Sequence, residues 1–132
     1  MEEVLKFLQE AKTFYLATVE GDQPRLRPMG FSMIHNGRLY FSTNNTKPMY
    51  KQMAANPKIE ICAFAPNGQW LRAWGKVAFD DSAATQEKAL DHSPALKGMY
   101  SVGDGKFTLF YFESGAKATI EGFQGGKQEF SL

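Results

Sequence analysis

Apolar positions recur along the chain at two periods, and the switches between them divide it into elements. Val4, Leu5, Leu8 and Ala11 share one stripe at helical spacing, with Glu2, Glu3 and Lys6 elsewhere, which predicts an amphipathic helix over 2–12. The early acids and late Lys12 suit its dipole. The period then shortens. Residues 14–19 form a strand, Gly21-Asp22 a turn, 25–34 a second strand, Asn36-Gly37 a hairpin turn and 38–42 a third strand, together an antiparallel meander. Thr46 can cap a helix running to about Ala55 with Pro48 in its first turn, and Asn56-Pro57 closes it. Ile59, Ile61 and Ala63 alternate with Lys58, Glu60 and Cys62 in a half-buried strand.

Beyond the turn at Asn67-Gly68, a long strand covers 70–79. A second helical segment begins at Ser82 and runs to about Asp91, and Ser93-Pro94 separates it from a short helical piece. After a loop over 101–106, strands at 107–113, 116–123 and 127–130 close the chain through turns at Gly115 and Gly125-Gly126. About eight short strands with two or three helical inserts indicate a small antiparallel barrel, mainly β, in one domain over 1–132. Pro24 and Pro28 belong at an edge or bulge, because proline donates nothing to a ladder.

Composition narrows the function classes. Fifteen basic against fourteen acidic residues give a net charge of +1, too balanced for a bulk nucleic-acid binder. One cysteine excludes an internal disulfide and a cysteine-based zinc site, and the two histidines, His35 and His92, are far apart in sequence. No run approaches the roughly 18 apolar residues of a membrane span. The N-terminus has no secretory pattern, so a cytoplasmic chain with neither nucleic-acid nor membrane partner is expected. Aromatic residues, at 14%, favour strands and flat ligands.

Three segments can carry chemistry. Alternation puts Arg25 and Arg27 on one face of a strand with Met29 and Phe31, either as a solubilised edge or as a phosphate grip beside an apolar body. Ser42 to Lys47 leaves a strand and enters a helix whose free N–H groups suit an anion, and Lys51 follows Lys47 by one turn; a plain helix cap with solvated lysines is the other reading. Trp70, Arg72, Trp74 and Lys76 share a face that suits a subunit interface, a planar ligand, or a sheet surface with tryptophan under arginine. Gly75 allows a close backbone approach or a bulge. No nucleophile elbow or phosphate-cradling glycine loop occurs, and no residue stands out as catalytic. His35 reads as a turn residue, His92 as a helix-end residue and Cys62 as inert.

In order, the segments R-P-M-G, L-Y-F-S-T, Y-K-Q…N-P and R-A-W-G-K resemble the pyridoxamine 5′-phosphate oxidase-like flavin-binding split barrels, from about Glu2 to Phe130. The resemblance implies a six-stranded antiparallel split barrel with flanking helices, a homodimer, and FMN at the dimer interface. It implies that Arg27, Pro28, Met29 and Gly30 run beside the flavin ring and ribityl chain, and that Ser42 and Thr43 hydrogen-bond the flavin. Lys47, Lys51, Arg25 and Arg27 would take the phosphate. Trp70, with Trp74 close by, would reach the flavin from the second subunit. Two departures set the chain among the short members rather than with the oxidase itself. Lys47-Pro48 stands where the family has adjacent basic residues, and 122–132 holds no counterpart of the oxidase's C-terminal arginine motif. An FMN-dependent oxidoreductase acting on a small planar substrate is therefore expected. The alternatives are an electron-carrying flavin module, or a haem- or deazaflavin-binding member of the fold.

Overall fold

The computed structural model describes residues 1–132. Nine strands and four helices follow in the order α1 (Glu2–Ala11), β1 (Phe14–Glu20), β2 (Gln23–Met29), β3 (Met33–His35), β4 (Arg38–Asn44), α2 (Pro48–Ala55), β5 (Lys58–Phe64), β6 (Gln69–Asp80), α3 (Ala83–His92), α4 (Pro94–Lys97), β7 (Phe107–Phe112), β8 (Lys117–Gly122) and β9 (Lys127–Ser131). All pairings are antiparallel.

The long β6 organises the sheets. Residues 69–76 lie in a first sheet ordered β2-β1-β5-β6-β8-β9, and 77–80 continue into a second ordered β6-β7-β4-β3. The ladder stays open. With the edge strands β2, β3 and β9 set aside, six inner strands remain, flanked by helices in the expected split-barrel manner. Gly75 sits at the handover. A Cβ there would lie 2.5 Å from the Cβ of Ala116, so only glycine lets the two backbones meet.

The principal core of 21 buried residues fills the space inside the first sheet. It takes Phe14 and Leu16 from β1, Ile59 and Ile61 from β5, Leu71 and Ala73 from β6, and the apolar faces of α1 and α2. A smaller cluster, with Tyr40, Leu90, Phe107 and Leu109, seats α3 and α4 on the second sheet. Strand β7 serves both: Phe110 and Phe112 point into one cluster, Phe107 and Leu109 into the other, which accounts for its nearly continuous apolar run.

The expected second strand is two strands. β2 ends at Met29, Gly30 to Ser32 form a link, and β3 begins at Met33 in the other sheet. β2 therefore pairs only with β1 and β3 only with β4, so the meander is a pair of separate hairpins. Pro24 and Pro28 lie on the edge strand. Asn36 and Gly37, with φ of 51° and 69°, make the predicted hairpin turn. The cap of α2 differs from expectation: Lys47 is the N-cap, and the Thr46 hydroxyl donates instead to Asn44 Oδ1. No helix is long and apolar enough to cross a membrane.

Candidate functional site

The hairpin register brings the first cationic cluster together. Leu16 faces Arg27 and Thr18 faces Arg25, so both guanidiniums lie on the inner side of β2, toward α2. The two arginines differ in what they meet. Arg25 directs its Nε and Nη2 at Glu20 Oε1, at 3.2 and 2.9 Å. These hydrogen bonds, then one from Gln52 and the Arg25 charge, hold the Glu20 carboxyl below its ordinary range.

Arg27 is half-buried and makes no ion pair. Its Nη1 donates to Thr18 Oγ1 at 2.7 Å and to the Leu16 carbonyl at 3.2 Å, and its Nη2 donates to Gln52 Oε1 at 2.7 Å. Burial pulls its pKa below the ordinary value, yet a guanidinium stays protonated in proteins. Of its five N–H groups, Nε–H and the second Nη2 hydrogen are left over. They form the side-on edge that matches a phosphate or carboxylate bidentately.

Gln52 was not foreseen. It occupies a buried position of α2 between Met49 and Met53, and it accepts from Thr18 at 2.6 Å as well as from Arg27. Its Nε2 reaches Glu20 Oε2 at 3.4 Å. The available sequence signal was an amide at a helical position whose spacing calls for an apolar residue.

Lys47 and Lys51 are exposed, at the N-cap and first turns of α2. Alternation on β4 separates the two hydroxyls assigned to the flavin. Ser42 lies on the side of Tyr40, which packs in the smaller cluster, whereas Thr43 lies on the side of Leu39 and Phe41 in the main core. Thr43 Oγ1 is the one buried side-chain polar atom without a partner. Met29 packs against the main core, Pro28 and Gly30 are exposed, and Phe31 belongs to the smaller cluster rather than to the Arg25 face.

Trp70 and Trp74 sit on the opposite, outer face of the first sheet. Cross-strand register aligns them with Phe64 and Glu60 of β5, and places Tyr15 and Leu26 on the same face. Leu26 is 67% and Phe64 59% exposed, and Trp74 and Tyr15 are exposed as well, an apolar patch interrupted by Lys58, Glu60 and Lys76. A groove of about 500 Å³ runs through it past Pro24, Val19 and Trp74. At one end Trp70 donates to Glu121 Oε1 at 3.2 Å and its ring lies 4.9 Å from that of Phe123, a hairpin-tip residue that is 82% exposed.

Ser42 and Thr43 thus stand on β4 in the second sheet, and the cationic and tryptophan candidates fall into two further neighbourhoods. Arg25, Arg27, Lys47 and Lys51 gather around β2 and α2, and Trp70 and Trp74 stand three strand spacings away, roughly 14 Å, on the other side of the sheet. His35 ends β3 with its ring 6.1 Å from that of Tyr40, and His92 ends α3 and lines a hollow of about 450 Å³ with Phe31 and Pro94. Neither histidine is on the outer face of the first sheet.

An open antiparallel split-barrel sheet with helices at its flanks, an edge strand bearing arginines and a helix entering beside it define a class of small β proteins. The family model described as pyridoxamine 5′-phosphate oxidase matches residues 1–113, and the chain belongs to the pyridoxamine 5′-phosphate oxidase-like family. Among solved structures, a NimC/NimA family protein from Clostridium acetobutylicum is 48% identical with a TM-score of 0.95, the match covering 100% of this chain and 93% of that one. A pyridoxamine 5′-phosphate oxidase-related, FMN-binding protein from Nostoc punctiforme shares the fold at 15% identity and a TM-score of 0.61, over 99% of this chain and 95% of that one. So does a heme-binding protein from Mycobacterium smegmatis, at 15% identity and 0.72, over 94% of this chain and 57% of that one. No curated protein matches.

Proposed function

We propose that the chain is an FMN-binding flavoprotein that works as a homodimer and acts as an oxidoreductase on a small planar substrate. The observation that carries this reading is Arg27: a half-buried guanidinium, clamped end-on by Thr18 and Gln52, with no carboxylate on it and a bidentate edge to spare. A full positive charge held in this way suits an ionised phosphate. Lys47 and Lys51 add charge from α2, and Arg25 does so if it leaves Glu20. Met29 and its exposed neighbours Pro28 and Gly30 offer an edge along which a flat ring can lie. Thr43 has an unspent hydroxyl at the end of β4, where a polar flavin contact is expected.

The distance between the two neighbourhoods supports the dimer. One flat molecule cannot touch Arg27 and Trp70 of the same chain through the sheet, but it can touch Arg27 of one chain and Trp70 of a second. The apolar outer face, with Tyr15, Leu26, Phe64 and Trp74, is the kind of surface that a second copy covers.

Bound FMN would supply the electron and hydride transfer. The protein's part is to hold the phosphate at Arg27, to orient the ring against β2, and to exclude water with the partner's tryptophans. A site that works through its cofactor needs no activated nucleophile of its own, in keeping with a sequence in which none stands out. The haem reading would need a histidine as axial ligand: His35 ends β3 in the second sheet, whereas His92 lines the same hollow as Gly30 and is the residue on which that reading rests. Fluorescence titration of FMN tests the proposal: the wild-type chain binds, and Arg27→Ala binds roughly tenfold to a hundredfold more weakly, the worth of a charge-assisted hydrogen bond. Equal affinity for the two would remove Arg27 from the site.

A further inference from the structure

We propose that Gln52 is the positioning residue of the phosphate site and that Glu20 sets its charge, so that one guanidinium is presented and the other held back. The inference rests on the flavin reading above and specifies how that site tells a phosphorylated flavin from an uncharged one.

A buried amide in the apolar stripe of a helix is costly unless each of its groups is bonded. In Gln52 both are. The oxygen accepts from Thr18 and Arg27, and because Arg27 also donates to Thr18, the three side chains close a ring of hydrogen bonds at 2.6, 2.7 and 2.7 Å. This ring fixes the end-on edge of the guanidinium and leaves the side-on edge as the one available to a ligand. A neutral amide holds the cation without cancelling it, as a carboxylate in its place would.

The other half of the amide governs Arg25. Gln52 Nε2 tethers Glu20 Oε2, which leaves Oε1 to receive both Nε and Nη2 of Arg25. The carboxylate is thereby kept on Arg25 and off Arg27. A phosphate arriving at the site meets one unpaired cation, and gains the second only by displacing Glu20. That pair is exposed, so the competition is mild, worth about two- to fivefold in affinity.

The test is to titrate the full chain and its Gln52→Leu, Gln52→Glu and Glu20→Gln variants with FMN and with riboflavin, which carries the same ring and chain without the phosphate. Gln52→Leu keeps the helix and its packing, and should weaken FMN roughly tenfold while leaving riboflavin unchanged. Gln52→Glu should weaken FMN further, by pairing with Arg27. Glu20→Gln should tighten FMN by about two- to fivefold and steepen its dependence on salt, with riboflavin again unmoved. Gln52→Leu losing both flavins alike, as a purely structural residue would, overturns the proposal. So does an FMN-to-riboflavin ratio that Glu20→Gln leaves at the wild-type value, a result that stands even if the buried variants fold poorly. A wild-type chain that binds riboflavin and FMN equally defeats the phosphate inference alone, whereas one that binds neither defeats the flavin reading with it.

Discussion

Replacing Gly75 by alanine is the most exacting trial of the sheet architecture. The new Cβ would lie 2.5 Å from the Ala116 Cβ and 2.8 Å from its Cα, both inside any tolerable carbon–carbon contact. The atoms it meets are backbone or bound directly to it, so neither can swing aside as a long side chain would. The φ of 154° adds to the cost, since that side of the map is glycine's. Overpacking costs about 1–3 kcal/mol and the backbone conformation a similar amount, so about 2–6 kcal/mol is expected. A domain of this size has about 5–15 kcal/mol in all. With a urea slope of roughly 2 kcal/mol/M, the unfolding midpoint should fall by about 1–3 M. A double mutant isolates the cause. Adding Ala116→Gly removes the 2.5 Å contact but leaves the 2.8 Å one, so rescue should be real and incomplete. A Gly75→Ala midpoint equal to wild type, or the same loss with and without the Ala116 methyl, would refute the close-approach reasoning.

Other consequences are open to direct measurement. Lys47→Ala should weaken FMN and spare the melting temperature, since the side chain is exposed at the start of α2; unchanged affinity would leave Arg27 as the only phosphate contact tested. Trp70→Glu should lower dimer formation or flavin retention, read by sedimentation and absorbance, and a normal coloured dimer would place that face outside the interface. Burial raises the Asp80 carboxyl, but hydrogen bonds from Tyr40, Ser82 and Thr85 outweigh it and hold the group below its ordinary value. The folded carboxyl is then the stronger acid. Its stabilisation is whole above about pH 4 and lost as pH falls through the lower, folded value. Asp80→Asn should therefore flatten the acid decline of the urea midpoint without abolishing it, because Glu20 and Asp104 are shifted the same way.

Local chemistry made much of the fold legible. Asn36-Gly37 announced its hairpin, Pro24 and Pro28 an edge or a bulge, and Gly75 a close approach or a bulge; the structure chooses the edge and the close approach, and names Ala116 as the partner of Gly75. The split between β2 and β3 was hidden because Pro28 is equally at home on an edge strand, which leaves Gly30 as a lone break among residues that favour strand. The sheet to which each half goes is decided by long-range pairing. At the site, alternation placed Arg25 and Arg27 on one face, and their different fates follow from what faces them. Glu20 comes round through the turn to take Arg25, and Gln52 arrives from a helix 34 residues after Thr18. No local pattern carries such a meeting, though a glutamine between Met49 and Met53 on a buried helical face was its trace. The same alternation that paired the arginines also separates Ser42 from Thr43, which the family likeness alone had assigned to one ligand.

Whether this chain holds FMN can be read from the absorption spectrum of the purified protein, taken as isolated and again after incubation with FMN and exhaustive dialysis. The blue and near-ultraviolet bands of a flavin should be present and retained at about one flavin per subunit. A chain that stays colourless after dialysis would contradict the flavin reading, and a Soret band would give the site to haem.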